Sequence, residues 1–420
     1  MKRVPDRGNV LPAPQSEYHS LLKNQKYLLW LLSESAAGGI GYSVYAITVL
    51  WLAYQISQNL LTSGLVLFIE FGVYSITFIA GPFVDITQDK RTVYLICYPL
   101  MAILAALIGF AFERNILTVP LLLFLVAVIS LLWDFVWTVS NTVSPLILDK
   151  DLLFKAQGFS GLIGGTNQII GYTVGGAFVL LVGPSGGMFF YSALLILGFV
   201  LIIPVSIRTP VNKLSSSFFK RISSDFVEGW RYVRAKSELL WLGSASVFRS
   251  FFVAGPPLLI TLFANRIFSD SAESYTLLFI SYVIGTATAG LLLGHYSPRK
   301  HIGTLFILST LGAGIVTLCA SLLTFSLTLS LIAWFLVGFS LFSFTIARGV
   351  YLQATTSPEF LGRVISNMYI FNGVSNSIGA LIIGIVSSSL NPISIGLLVA
   401  LGLILSSLFG IAPAVRKIGY

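Results

Sequence analysis

Charge is what this sequence has least of. Only 10% of its 420 residues are aspartate, glutamate, lysine or arginine, where a soluble domain carries about a quarter. With 56% of the chain hydrophobic and a mean hydropathy of +0.89, the apolar surface exceeds what one globular core can take in. Lipid is the solvent that fits. Cysteine is almost missing: Cys97 and Cys319 both fall inside apolar runs, so no disulfide or thiolate framework follows. The histidines, His19, His295 and His301, are scattered outside those runs or at their edges, which argues against a metal centre. No Walker-type phosphate loop and no catalytic-triad spacing stand in the chain, so an enzyme is disfavoured and no cofactor is expected.

Long uncharged stretches are abundant. A spanning helix needs ~20 apolar residues, and twelve such runs lie at 27–54, 61–84, 92–112, 117–144, 157–182, 186–206, 238–264, 274–296, 302–323, 327–347, 362–388 and 391–412. The expectation is an all-α membrane protein. Residues 1–26 are polar and basic, with Pro5, Pro12 and Pro14. The run after them is too long for a signal-peptide core and lacks a clear small-residue cleavage site. A cytosolic tail and an uncleaved first helix are expected.

The basic residues give an orientation. With these spans, 22 of the 25 lysines and arginines fall on one side; Arg114 and Arg266 lie on the other and Arg249 inside a span. Positive residues favour the cytosolic side, so an even number of spans with both termini in the cytosol is expected, in the cell membrane. The net charge of +9 thus reports topology and anionic lipid rather than nucleic acid. The one long internal loop, 207–237, carries Phe218, Ile222, Phe226, Trp230 and Val233 at helical spacing. That pattern predicts an amphipathic helix in the membrane interface.

The chain repeats itself. GPFVDITQDKR, with Gly81, Asp85, Lys90 and Arg91, aligns with GLLLGHYSPRK, with Gly290, Gly294, Arg299 and Lys300, at an offset of 209. Asp151 and Lys155 of DLLFKAQGF align with Glu359 and Arg363 of EFLGRVISN at an offset of 208. Two loops agreeing on an offset to within one residue imply two six-helix copies: 27–206 and 238–413, with the linker 207–237 between them and a short tail at 414–420. Parallel repeats of this kind are a transporter plan with the substrate site between the halves.

With these motifs in this order the chain resembles the major facilitator superfamily over nearly its whole length. Gly81, Asp85, Lys90 and Arg91 are similar to that family's loop 2–3 signature, with Ile86 where an arginine is usual and Gln88 where a glycine is usual. The resemblance implies a gate on the cytosolic side, in which Asp85 pairs with basic residues and a helix N-terminus of the other half; Arg363, the second copy's counterpart of Lys155, is expected to belong to the same gate. Gly171-Tyr-Thr-Val-Gly175-Gly176 looks like the family's antiporter motif, with Tyr172 in place of proline. It implies close helix packing, by the small residues that let helices approach in lipid. SPEFLGRV (357–364) and DFVEGWRYV (225–233) are most similar to the macrolide-efflux and enterobactin-exporter branch.

Four ionisable residues lie well inside spans: Glu34, Glu70, Asp134 and Arg249. A charge at a helix centre costs roughly 2.5–3.5 kcal/mol on insertion scales, so such residues face partners or water. Asp134 shares its helix face with Ser130, Thr138, Asn141 and Thr142, a seam unsuited to lipid. Glu34, Asp134 and Arg249 fall at similar depth on spans 1, 4 and 7, which line the central cavity in the family. They are the expected proton-coupling and substrate residues, a carboxylate between burial and a nearby cation being able to change protonation as the cavity switches sides. An ion pair bracing the halves, Glu34–Arg249 or Asp134–Arg249, is the other reading. Glu70, with Tyr74 on its face, is expected to be a packing hydrogen bonder. Trp30, Tyr42, Tyr45, Trp133, Trp137 and Tyr369 could stack on a flat substrate, and Asn367, Asn372 and Asn376 could bond a ligand or a neighbouring helix.

The expected function is export of amphipathic or cationic small molecules, driven by a proton or other ion gradient, by a protein acting as a monomer. A carrier of one metabolite such as a siderophore, and a membrane sensor without transport, are the rivals. A sugar or organic-anion carrier would want more amides or arginines at mid-depth, and only Arg249 qualifies on these spans.

Overall fold

The computed structural model describes residues 23–75, 84, 87–148, 150–208, 218–268, 272–296 and 302–409. Gly81, Asp85 and the two terminal tails lie outside the described residues. Those residues are almost entirely helical; the one β-type feature among them is an isolated antiparallel bridge, Asp89 to Arg208.

The helices run α1 Gln25–Glu34, α2 Tyr42–Ser57, α3 Leu60–Tyr74, α4 Arg91–Glu113, α5 Val119–Ile147, α6 Lys150–Leu181, α7 Pro184–Ile202, α8 Phe218–Ala235, α9 Ser237–Val253, α10 Gly255–Arg266, α11 Ala272–Tyr296, α12 Ile302–Leu322, α13 Leu327–Thr355, α14 Pro358–Val386 and α15 Pro392–Leu408. A π-helical segment, Ser35–Gly41, joins α1 to α2 into span 1. Span 7 is α9 plus α10, broken at Ala254, where Pro256 and Pro257 follow. A proline interrupts the hydrogen-bond ladder and kinks the helix. Among the described residues nine segments are long and apolar enough to cross a membrane; Leu60–Tyr74 and Pro392–Leu408 are shorter apolar helices.

Local chemistry sets the ends. Asn59 and Asn391 accept from the first-turn amides of Leu61 (2.9 Å) and Ser394 (2.8 Å), as N-caps do. Prolines open α5, α7, α14 and α15, where a missing N–H costs nothing. Between α6 and α7, Gly183 has φ +89°, a backbone state that glycine adopts without strain.

Spans 1 to 6 pack among themselves, as do spans 7 to 12, giving two six-helix halves. Ile103, Phe124, Ile196, Leu291, Leu308 and Leu401 are each more than half exposed on the outer wall, which suits a surface solvated by lipid. The halves meet through α3 against α14 and α6 against α11. Because six spans separate Gln25 from Arg208, and six more separate that point from Phe409, the start of α1, the end of α15 and α8 share one face, here the terminal face.

The amphipathic helix is α8. It binds the second half: Trp230 and Phe226 pack on Phe371 at 5.1 and 6.0 Å, and Tyr232 stacks on Phe360 at 4.7 Å. Part of the expected membrane-facing stripe thus covers protein. Tyr232 accepts from Lys236 Nζ at 2.7 Å and from the Ser357 amide at 3.4 Å. Burial, the largest single influence, pushes its phenol up, but these donors outweigh it and hold the pKa below its ordinary value.

Candidate functional site

Between the halves lies a cavity of about 450 Å³. One wall belongs to the first half. Gly38 of the π-helical segment, Tyr42 and Tyr45 of α2, Glu70 and Tyr74 of α3, Trp133, Asp134 and Trp137 of α5, and Gln168 of α6 line it. The other wall belongs to the second half: Arg249, Ser250 and Val253 beside the break in span 7, Thr345 and Arg348 of α13, and Tyr369, Asn372 and Asn376 of α14.

Aromatic rings build the first wall. Tyr42 stacks on Trp133 at 5.4 Å, and Tyr45 meets Tyr191 at 5.1 Å. Asp134 is 2% exposed, within electrostatic reach of Tyr74. The rest of its polar seam is satisfied locally: Thr138, Asn141 and Thr142 bond back to carbonyls of their own helix at 2.8 Å, as hydroxyls and amides on helices often do. Ser130 alone of that seam joins Asp134 on the cavity wall.

Two acidic residues exchange the places expected for them. Glu70 lines the cavity, near the Tyr45 hydroxyl. Glu34 does not: it stands among the hydroxyls of Tyr94, Ser140 and Tyr98. A Cβ at Gly38 would lie 2.9 Å from the Trp133 ring and 3.0 Å from Glu34 Oε2, so the indole and the carboxylate both approach that glycine, but of the two only Trp133 lines the cavity. Trp30 is also off the wall; its indole N–H donates to Tyr94 at 3.1 Å. Tyr42, Tyr45, Trp137 and Tyr369 are on it.

On the opposite wall Arg249 is buried. It donates to the Leu341 carbonyl at 2.8 Å and lies 4.2 Å over the Phe344 ring. Its contacts stay within its own half, and it pairs with neither Glu34 nor Asp134. Arg348 donates to Ser246 and lies near Tyr369 and Tyr74. Ending the tenth apolar run at residue 347 puts Arg348 in a loop. The helix instead continues to Thr355, a continuation signalled by Val350, Tyr351 and Leu352 just beyond it. Gln168 escapes sequence reasoning as well; its signal is an amide pair, Asn167-Gln168, amid the glycines of span 5.

Among the described residues several buried polar atoms on the second wall have no hydrogen-bond partner, Arg249 Nε, Asn372 Nδ2 and Asn376 Oδ1, whereas Glu70 Oε1 and the Tyr45 hydroxyl, outside strict bonding geometry, stand next to one another. Such orphans are rare in folded proteins and call for an explanation where they cluster.

The cavity is closed at one end. At the far face Tyr275 donates to the Ile47 carbonyl at 2.7 Å and stacks on Trp51 at 4.7 Å, and Thr276 donates to the Gly176 carbonyl at 3.2 Å. Across α3 and α14, Ser377 donates to the Phe68 carbonyl at 2.7 Å, and a Cβ at Gly64 would meet the Ala380 carbonyl at 2.8 Å. Toward the terminal face, Trp137 and Tyr369 are 44% and 47% exposed, and among the described residues nothing lies within 4 Å of a Cβ built at Gly164 or Gly165. The glycines of the antiporter-like motif divide the work. Gly171 and Gly175 pack α6 against span 1, with Ile40 O at 2.6 Å and Val44 Cα at 2.9 Å from a built Cβ, whereas Gly176 meets Thr276 of the other half.

Of the expected gate residues, Lys90 donates to the Val84 carbonyl. Arg91 bonds the Ile203 carbonyl at 2.7 Å and Asp89 at 3.2 Å, and Asp89 also accepts from the Ile207 amide at 3.1 Å. These contacts tie span 3 to the end of span 6 within one half. Arg363 pairs with Glu228 of α8 at 2.7 Å, tethering the linker helix.

A sequence profile of the Major Facilitator Superfamily matches residues 31–380. Solved structures share the fold. The nucleoside transporter NupG superposes with a TM-score of 0.67 at 14% identity, covering 93% of this chain and 98% of that one. A bacterial homologue of the human lysosomal transporter Spinster, inward-facing and unoccupied, gives 0.69 at 14%, covering 97% and 98%. A POT family transporter in complex with a thioalcohol-conjugated peptide gives 0.71 at 12%, covering 93% and 96%. A comparison with curated proteins returns no match.

Proposed function

Since the chain belongs to the Major Facilitator Superfamily and is a multi-pass membrane transporter, we propose that it exports amphipathic, cation-bearing small molecules from the cytosol by proton-coupled alternating access. The observation that carries this reading is a cavity with Glu70 and Asp134 set among aromatic rings, sealed at one face and accessible from the other. The positive-inside rule makes the terminal face cytosolic, so the cavity opens inward.

In this cycle a substrate enters from the cytosol, its apolar body against Trp133, Trp137 and Tyr369 and its cation at the acidic wall. The halves then rock, closing the terminal face and opening the far one. Protonation of Glu70 or Asp134 from outside displaces the cation, and the proton leaves when the cavity again faces the cytosol. Exchange of one proton for one monovalent cation moves no net charge, so the pH gradient drives it, a tenfold gradient supplying about 1.4 kcal/mol. Glu34, behind Trp133, serves as a buried polar anchor between spans 1, 3 and 4 rather than the partner of Asp134. The likeness of SPEFLGRV and DFVEGWRYV to the macrolide-efflux and enterobactin-exporter branch supports export. A second reading, a carrier for one defined metabolite, is favoured by Arg348 and three amides on the walls, which suit specific polar recognition.

The test is proton-gradient-driven uptake of lipophilic cations and macrolides into inverted vesicles, comparing wild type with Asp134→Asn. Gradient-driven flux in the wild type, lost in a variant that still binds, supports coupling through Asp134. An unchanged variant moves coupling elsewhere, and a wild type that transports nothing on the panel defeats polyspecific export.

A further inference from the structure

The two walls of the cavity carry opposite charge. Glu70 and Asp134 stand on the first half, Arg249 and Arg348 on the second. Neither arginine is ion-paired among the described residues: Arg249 is held by the Leu341 carbonyl and the Phe344 ring, Arg348 by Ser246. Among the described residues the orphaned atoms stand on the basic wall, Arg249 Nε, Asn372 Nδ2 and Asn376 Oδ1, while on the acidic wall the Glu70 carboxylate has only the neutral Tyr45 hydroxyl beside it.

We infer that the substrate is a dipolar molecule, with a cationic group at one end, an anionic group at the other and an aromatic or apolar body between them. This rests on the reading of the cavity as the transport site, and it narrows the substrate class within that reading.

A singly charged ligand is mismatched to one of the two walls. A simple cation would satisfy Glu70 but would bring positive charge into a space faced by two arginines. A simple anion would satisfy the arginines and be repelled by two carboxylates. Each arrangement also leaves one set of buried polar atoms unpaired, and leaving such groups unpaired is what gives polar sites their discrimination. A molecule with both charges meets both walls. Its body then lies between the Tyr42–Trp133 stack and Tyr369, and Asn372 and Asn376 reach any amide or carboxylate near the basic end. Discrimination by unpaired charge is a form of specificity built against the wrong partner.

The probes are three biphenyls that share one flat body. The first bears an aminomethyl group at one end and a carboxylate at the other, the second only the aminomethyl group, and the third only the carboxylate. Binding to the purified full-length protein in detergent is measured by calorimetry. The dipolar probe is expected to bind about tenfold tighter than either singly charged one, a gap of ~1.4 kcal/mol. Arg348→Gln should erase its advantage over the amine, and Glu70→Gln its advantage over the carboxylate, each leaving the other advantage in place. The inference is overturned if the amine alone binds as tightly as the dipolar probe, if both variants weaken all three probes equally, or if none of the three binds.

Uptake of the tightest binder into inverted vesicles then separates the two levels. A dipolar preference without any flux defeats the transport reading and leaves the charge rule standing. Flux of the amine with no dipolar preference does the reverse.

Discussion

The two ends of α6 differ in what surrounds their glycines. At Gly171, Gly175 and Gly176 a methyl group would collide with span 1 or with Thr276, while at Gly164 and Gly165 nothing among the described residues lies within 4 Å. One continuous helix therefore shows both regimes, close packing toward the far face, against span 1 at Gly171 and Gly175 and against the other half at Gly176, and separation at the terminal face. Small residues let helices approach closely in lipid, but here that serves two purposes. The far glycines maintain a seam that exists; the inner ones leave room for a seam that forms when the cavity closes inward.

The largest effect should come from breaking the existing seam. Gly176→Leu must displace Thr276, and overpacking of this kind costs about 1–3 kcal/mol. Transport in proteoliposomes is expected to fall to background and thermal stability in detergent to drop. Wild-type flux would mean that Thr276 and Gly176 do not seal the far face.

Next in size is the inner counterpart. Gly165→Leu meets open space, so stability should change by less than about 0.5 kcal/mol, as for other unencumbered sites. Flux should nonetheless drop several-fold, because closure brings this end against the other half. A variant with full flux would show that the inner end of α6 never packs.

The acidic residues sharpen the contrast between wall and interior. Glu70→Gln should weaken substrate binding about tenfold or more, as loss of a charged hydrogen-bond partner does. Glu34→Gln, behind the Trp133 indole, should leave binding within about twofold while lowering thermal stability. Equal effects on binding, measured by titration of the purified variants, would contradict this assignment.

The smallest effect belongs to the tether between α8 and α14. The Arg363–Glu228 pair is 34% and 46% exposed, and pairs of that kind contribute about 0–1 kcal/mol. Arg363→Gln is expected to lower the melting temperature by a few degrees at low salt and by less at high salt, where screening already weakens the pair. A large, salt-independent loss would point to a role beyond tethering.

Much of this architecture was legible in the sequence, because lipid imposes long uncharged runs and the two loop motifs repeat at nearly one offset. Asp134 could be picked out on the same grounds, as a carboxylate in an apolar run with polar neighbours on its face. What sequence could not supply was rotation about helix axes and the true ends of helices. Glu34 and Glu70 look alike as isolated carboxylates in apolar runs; only the packing of Trp133 over Gly38 separates the one behind the wall from the one on it. An apolar run that ends at residue 347, eight residues short of the helix end at Thr355, leaves Arg348 off the helix. That loss concealed a second arginine on the cavity and with it the opposed charge of the two walls. The Lys90 and Arg91 contacts depended on where the end of span 6 returns, which no local pattern encodes.

A cavity open at the terminal face, the cytosolic one in the proposed orientation, and shut at the other is what carries the proposed function. The direct test is thiol labelling of Gln168→Cys, an exposed residue of the cavity wall, with Cys97 and Cys319 replaced by alanine. A membrane-impermeant maleimide is added without substrate to inverted and to right-side-out vesicles. Rapid labelling in inverted vesicles with slow labelling in right-side-out ones is the predicted result. Labelling that is equal from both sides, or faster from the outside, would contradict it.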